Sequence, residues 1–324
     1  MNDLSRTVSA ALDGVHPPEV WAGLRPHLMP TRRLRADAID SATGARVELA
    51  AETSQHTGSF KFRAALAAAL NTSAPRLLTA SSGNLGAALA AAAQRTGKGC
   101  TVVMPARSAQ VKIAAVQSHG ATVELIDTDR VSRQARIAEL AAADPAAKIL
   151  SPYDDPYVIC GNATLGEALF SAGEPPEVVL VPVGGGGLSA GLCVAKALLC
   201  PSCEVFGAEP LLANDAARSL RAGRIVANER EPDTICDGAR SLSLGRRNFE
   251  ILRELLAGLI KVPEAQVAAA MKLLHVALGL RVEPTGALGL AALLSDPGRF
   301  PERRVTCVIS GGNVDEEVHA RLTG

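Results

Sequence analysis

The chain of 324 residues is poor in aromatics: Phe, Trp and Tyr together make up 3% of it. That leaves little for the stacking platforms on which single-stranded nucleic acids are held. It also lacks a charge of one sign, with 33 Lys plus Arg against 33 Asp plus Glu and no basic or acidic tract. Both facts argue against a nucleic acid or an anionic membrane as the partner. No run approaches the ~18 consecutive apolar residues of a membrane-crossing helix. Residues 1–20 have acidic side chains at Asp3, Asp13 and Glu19 where a signal peptide would be basic and then apolar. The 7 cysteines are odd in number and scattered, most of them in apolar runs, where small buried hydrophobes belong. No disulfide framework is expected, and a reducing, cytoplasmic setting is. No H-E-x-x-H and no G-x-S-x-G occurs, and Cys200-Pro-Ser-Cys203 is a lone C-x-x-C without a second pair or a nearby histidine.

Apolar residues are plentiful, at 48% against 20% charged, the balance of a globular protein. At roughly 150 residues per domain the length fits two domains. Short runs rich in Val, Ile and Leu predict strands at 46–50, 76–79, 100–104, 122–126, 148–150, 177–183, 204–208 and 305–309. Ala-rich stretches between them predict helices at 59–70, 85–95, 109–118, 130–143, 161–171, 188–199, 264–278 and 285–294. Strand and helix in alternation imply an α/β protein with parallel sheets. The βαβ block at 76–153 reads as a small mobile substrate-binding domain, inserted into a large one built from 1–75 and 154–324.

Four segments carry chemistry. Gly184-Gly-Gly-Gly-Leu188 follows a strand and opens a helix. Consecutive glycines let several N–H groups converge on an anion, and the helix start adds partial positive charge. The same loop satisfies a dinucleotide fingerprint, Gly185-x-Gly187-x-x-Ala190 with Glu209 further on, so a nicotinamide oxidoreductase stays open at this point. Lys61 stands between Phe60 and Phe62 at a helix start, which disfavours its ammonium form and suits it to imine chemistry. Ser81-Ser-Gly-Asn84 precedes an Ala-rich helix and offers a carboxylate site, or simply a serine cap. Ser310-Gly-Gly-Asn313 puts a hydroxyl at the end of a strand, where open α/β sheets bind ligands. An imine lysine, a phosphate loop, a hydroxyl for a ring nitrogen and a carboxylate site are together the parts of a pyridoxal-phosphate site.

With these segments in this order, the chain resembles the serine/threonine dehydratase and serine racemase family. These are pyridoxal-phosphate-dependent enzymes of the tryptophan-synthase-β-like fold, or fold type II. The segments that carry the resemblance include Thr57-Gly-Ser-Phe-Lys-Phe-Arg63, Ser81-Ser-Gly-Asn84, Val102-Val-Met-Pro105 with Lys112, and Asp155-Pro-Tyr-Val-Ile159. They continue with Val183 to Gly191, Gly207-Ala-Glu-Pro210, Thr234-Ile-Cys-Asp-Gly238, Glu283-Pro-Thr-Gly286 and Ser310 to Asp315.

The resemblance implies two open, twisted α/β domains and a homodimer. It implies an ammonia-lyase that turns a β-hydroxy-α-amino acid into a 2-oxo acid and ammonia. Lys61 would hold pyridoxal 5'-phosphate as a Schiff base and act as general base. Phe60 would pack near the ring, Asn84 would bond the ring hydroxyl, and Glu283 would line the cofactor site. Gly184, Gly185, Gly186, Gly187 and Leu188 would cradle the phosphate. Ser310 would face the pyridine nitrogen, and a neutral hydroxyl there favours elimination over transamination. Ser81, Ser82 and Gly83 would bind the substrate carboxylate, with Leu85 beside them. Ser82 also matches the racemase position that delivers a proton to the face opposite Lys61. Racemisation with side dehydration is therefore an alternative activity, and β-replacement on the same fold, which Ser82 does not support, is another. Glu209, Ala213 and Asp215 match a site for Mg²⁺, Mn²⁺ or Ca²⁺, all of which take oxygen ligands. No regulatory domain is expected beyond the last segment.

Three departures from the family pattern are expected near the cleft: Leu85 for a histidine, Tyr153 for a small polar residue, and Gly161-Asn-Ala-Thr164. They imply a substrate with a larger or less polar β-substituent. Arg133 reads as a surface helix arginine or as a second carboxylate contact.

Overall fold

Runs of Val, Ile and Leu with no polar face form strands where both faces are covered. The computed structural model describes residues 3–81 and 83–324. Its strands are β1 (Arg32–Leu34), β2 (Arg46–Ala51), β3 (Arg76–Ala80), β4 (Gly99–Pro105), β5 (Thr122–Ile126), β6 (Ala147–Ile149), β7 (Val178–Pro182), β8 (Glu204–Pro210), β9 (Gly258–Val262) and β10 (Arg304–Ile309). The helices in the first half are α1 (Asp3–Ala11), α2 (Pro17–Leu24), α3 (Asp37–Thr43), α4 (Lys61–Leu70), α5 (Asn84–Arg95), α6 (Gln110–Gln117) and α7 (Arg133–Ala143). Those in the second half are α8 (Pro156–Phe170), α9 (Gly187–Leu199), α10 (Asp215–Ala222), α11 (Arg246–Leu255), α12 (Glu264–Leu278), α13 (Pro284–Ser295) and α14 (Glu316–Thr323).

Six strands pair in the order β1-β2-β10-β7-β8-β9, and four in the order β5-β4-β3-β6. All neighbours are parallel except β1 and β2. The fold is thus α/β with two sheets, as the strand and helix alternation implies. Side chains alternate between faces. Val179 and Val181 of β7 join one core cluster and Val178 and Leu180 another. In β4, Val102 and Met104 enter the first cluster while Val103 faces Leu78, Ile126 and Ile137. One cluster therefore takes residues from both sheets, which ties the two layers together.

Every expected strand and helix forms. The two unexpected strands, β1 and β9, lie at the edges of the larger sheet, where one side of the ladder is unpaired and apolar patterning is weak. The unexpected helices α1, α2, α3, α10, α11 and α14 are all of ten residues or fewer. Helix α8 begins at Pro156, earlier than residue 161, because Asp155 caps it: its carboxylate accepts from Tyr157 N at 2.8 Å and Val158 N at 3.2 Å.

The glycines of α8 permit its close packing. A Cβ on Gly161 would meet Ala67 Cβ of α4 at 2.7 Å, and one on Gly191 of α9 would meet Ala163 N at 2.7 Å. Gly161, Asn162, Ala163 and Thr164 therefore serve the contact between helices, and none of them lines the cleft. That corrects their expected place near the substrate. Thr164 instead accepts a 3.0 Å hydrogen bond from Arg63, whose guanidinium grips Glu52 bidentately at 2.7 and 2.9 Å. This pair is buried, and it locks the first turn of α4 to the end of β2.

Candidate active site

One cavity of about 1160 Å³ opens between the two sheets, and the motif residues converge on its wall. Lys61 begins α4, with Phe60 before it as the cap residue. The Phe60 ring centroid lies 5.2 Å from Lys61 Nζ, whereas Phe62 is fully buried in the core. Nζ donates a 2.9 Å hydrogen bond to the Pro152 carbonyl. Burial pulls the Lys61 pKa down from 10.5 to about 8, and the Glu283 carboxylate partly opposes that fall. An amine so placed is in part neutral near pH 7, the state a nucleophile requires.

Glu283 precedes α13 without using its side chain as a cap. Instead its two oxygens each accept from Asn84 Nδ2 at 2.9 Å. Burial pushes its pKa up to about 8, the Asp237 charge adds to this, and the Asn84 hydrogen bond, Lys112 and Lys61 oppose it. Asn84 Oδ1 in turn accepts from Asn313 Nδ2 at 2.8 Å, which also donates to Thr57 O at 2.7 Å. Asn313 lies so close that any side chain at Gly58 would collide with it, and Gly58 has φ +71°.

Ser310 follows β10 and is 1% exposed. Its carbonyl accepts from Phe60 N at 2.9 Å, and the neighbouring bridge Ser59–Gly311 laces the lysine and serine segments together. Its hydroxyl Oγ is buried and has no hydrogen-bond partner among the described residues. Gly184 to Leu188 lead from β7 into the first turn of α9, with Gly186 at φ +90°. The first N–H groups of such a helix have no intrahelical acceptor. Ser81 and Gly83 line the cavity at the start of α5, and Leu85 is 3% exposed, mostly packed in the core. Ser82 lies outside the described residues.

These features fit pyridoxal phosphate on grounds internal to the chain. An unpartnered buried hydroxyl, a lysine with a lowered pKa and a side-chain-free loop at a helix start face one space. The structure also adds contacts that the motifs did not give. The Pro152 carbonyl, Asn313 and Asn248 bear on this site through contacts 91, 229 and 63 residues apart in sequence. Arg133 lines the cavity and pairs with Glu231 at 3.7 Å, and Lys112 pairs with Asp237 at 3.7 Å.

Glu209, Ala213 and Asp215 lie off the cavity wall. Glu209, the penultimate residue of β8, accepts from Ala216 N at 3.2 Å and Ala217 N at 3.0 Å, so it caps α10. Asp215 Oδ1 accepts from Asn228 at 3.0 Å, while its Oδ2 is buried without a partner among the described residues. Burial raises Glu209 to about 8, with Asp215 adding to it, and raises Asp215 to about 6. Two mutually repelling acids and one idle oxygen suit a divalent cation. Among the described residues, no group of three or more His, Cys, Asp or Glu side chains is placed to hold a metal. All seven cysteines are free and buried; burial pushes Cys100, Cys160, Cys193 and Cys203 up to about 12.

Two α/β sheets with a lysine, a glycine loop and an idle serine around one cleft define an enzyme that carries an aldehyde cofactor. The chain belongs to the pyridoxal-phosphate-dependent enzyme family, which it matches over residues 24–311. It is 36% identical over 288 residues to an L-threo-3-hydroxyaspartate ammonia-lyase of Pseudomonas sp, covering 88% of this chain and 90% of that one. It is 34% identical over 293 residues to a serine racemase of Schizosaccharomyces pombe, covering 89% and 90%. The solved threonine deaminase of T.th. superimposes with a TM-score of 0.87 at 40% identity, covering 92% of this chain and 97% of that one. The fold is therefore fold type II, and the protein is a pyridoxal-phosphate-dependent lyase. Among the described residues no helix is long and apolar enough to cross a membrane.

Proposed function

We propose that this enzyme is an ammonia-lyase (dehydratase) acting on a β-hydroxy-α-amino acid. The observation that carries this reading is the position of Lys61: its amine, pulled down to about 8, opens on the same cavity as the glycine loop, Asn84 and the unpartnered Ser310. Pyridoxal phosphate, when bound, withdraws electrons from the substrate α-carbon. The residues do the rest. Lys61 holds the cofactor, then takes the α-proton and returns a proton to the departing β-hydroxyl. Ser81, Gly83 and the start of α5 hold the substrate carboxylate, and Ser82 belongs to the same set. Asn84, gripped by Glu283 and Asn313, is held for the ring hydroxyl.

The reading includes a small domain, 76–153, that closes over the substrate, a homodimer, and a cytoplasmic location in keeping with seven free cysteines. It includes a Mg²⁺, Mn²⁺ or Ca²⁺ ion at Glu209, Ala213 and Asp215. Leu85, on the cavity wall, favours a substrate with a larger or less polar β-substituent than serine. Racemisation is the second reading, and it rests on Ser82.

The test is a substrate panel: L- and D-serine, L-threonine, 3-hydroxyaspartate and phenylserine, with 2-oxo acid, ammonia and the opposite enantiomer assayed together. Release of 2-oxo acid and ammonia is the expected result. An opposite enantiomer without 2-oxo acid would establish the racemase instead. Lys61→Ala is expected to lower turnover by at least about 10²–10⁴-fold and to abolish the visible absorption of the lysine-bound cofactor.

A further inference from the structure

The surroundings of Tyr153 give it a definite task. Its ring lies flat against the glycine loop: a Cβ on Gly185 would stand 2.5 Å from Tyr153 Cε1 and nearer still to two other ring carbons. A Cβ on Gly187 would meet the Tyr153 carbonyl oxygen at 2.9 Å and its Cα at 3.0 Å. The missing side chains of Gly185 and Gly187 are therefore what admits this tyrosine.

The ring is also fixed in place. The Tyr153 carbonyl accepts from Asn248 Nδ2 at 3.0 Å, and the same nitrogen donates to Gly185 O at 2.7 Å. Asn248 is fully buried. The next residue, Asp154, accepts from Arg246 N and Arg247 N at 3.0 Å each and so docks the segment on the start of α11. One residue earlier, the Pro152 carbonyl holds the Lys61 amine. A single five-residue segment, Ser151 to Asp155, thus touches the lysine end of the cavity and the glycine-loop end.

The hydroxyl makes no hydrogen bond to protein among the described residues, and Tyr153 lines the cavity. Burial raises the phenol pKa, and the Asp154 and Asp215 charges add to this, so the proton stays on at neutral pH. A protonated phenol beside an anion loop can serve that anion only as a donor.

We propose that the Tyr153 hydroxyl donates a hydrogen bond to the phosphate of pyridoxal phosphate, in addition to the main-chain N–H groups of the glycine loop. This rests on the reading of Gly184 to Leu188 as the phosphate cradle. A contact to the substrate instead is less favoured, because the ring is seated on the loop and not on the start of α5.

Tyr153→Phe removes the hydroxyl and keeps the ring, so packing on the loop survives. The full-length enzyme is equilibrated by dialysis against pyridoxal phosphate, and separately against pyridoxal, with bound cofactor read from visible absorption. The expected result is a roughly ten- to hundredfold rise in the pyridoxal phosphate dissociation constant, as for one hydrogen bond to a charged group. Affinity for pyridoxal stays the same, and the phosphorus NMR resonance of the bound phosphate shifts. Unchanged affinity for pyridoxal phosphate, with a raised KM for the amino acid, would assign the hydroxyl to the substrate and overturn the proposal. Equal losses for both compounds would reduce Tyr153 to packing, with Tyr153→Leu as the reference for loss of the ring. A wild-type enzyme that binds both equally well would overturn the phosphate cradle itself, and the proposal with it.

Discussion

The amide nitrogen of Asn84 lies 2.9 Å from both carboxylate oxygens of Glu283. Asn84 opens α5 beside the four-stranded sheet, and Glu283 precedes α13 beneath the six-stranded one. One side-chain amide thus spans the mouth between the two layers and hands its own oxygen to Asn313. Because Glu283 also acts on Lys61 through space, the state of this carboxylate tunes the reactive amine.

Glu283→Gln tests that coupling. The carboxylate raises the Lys61 pKa, so its removal lowers that pKa further below about 8. The neutral amine then persists to lower pH. The pH midpoint for capture of pyridoxal phosphate by the cofactor-free enzyme moves to the acid side, as followed by visible absorption. An unmoved or alkaline-shifted midpoint would show that Glu283 does not act on Lys61.

The acid pair Glu209 and Asp215 predicts a pH dependence of stability. Their folded-state values, about 8 and about 6, stand above the ordinary carboxylate values because of burial. The folded state therefore holds protons that the unfolded chain has released, and stability is lost as pH rises through those values. The melting temperature of the metal-free enzyme falls between about pH 5 and pH 8. Glu209→Gln with Asp215→Asn flattens the slope, and Glu283, raised in the same window, keeps part of it. Excess Mg²⁺, Mn²⁺ or Ca²⁺ restores the melting temperature near pH 8 in the wild type only; a curve indifferent to all three ions would dismiss the cation site.

Glu52→Gln breaks the buried ion pair with Arg63 and leaves a guanidinium without its counter-charge. Removal of one partner of such a pair costs about 3–5 kcal/mol. Denaturant titration reads this directly. A loss below about 1 kcal/mol, as for an exposed pair, would mean that the hydrogen bonds Arg63 donates to Thr31 at 2.8 Å and Thr164 at 3.0 Å suffice to hold it.

Gly161→Ala forces α8 away from α4, since the new methyl would meet Ala67 Cβ at 2.7 Å and Ala64 Cα at 3.0 Å. Overpacking of this kind costs about 1–3 kcal/mol. Turnover per folded molecule stays at the wild-type value, because the residue lies off the cavity wall. A specific loss of kcat at full stability would return this segment to the substrate site.

Legibility differed with the kind of signal. The strands of the two sheet interiors were readable because their apolar runs are uninterrupted, as Val178–Pro182 is, with all five residues buried. The edge strand Arg32–Leu34 was not, because two of its three residues are exposed and charged. The motif at 161–164 misled for a related reason: glycine and small residues mark close approach, and sequence does not say whether a ligand or another helix approaches. Tyr153 stood out only as a departure from pattern, with nothing local to tell that Gly185 is bare on its account.

The sequence by itself determined the two-sheet α/β class and the cofactor, and it supplied the proposed imine lysine and phosphate loop. Each of these is written in neighbouring residues: strand runs, a lysine at a helix start, glycines between a strand and a helix. Only the tertiary structure decided which groups set their reactivity. The hydrogen bonds from Lys61 to Pro152 and from Asn84 to Glu283 join residues 91 and 199 positions apart. The depressed lysine and the raised glutamate follow from burial between two sheets, and a local stretch of chain cannot bury its own charged groups.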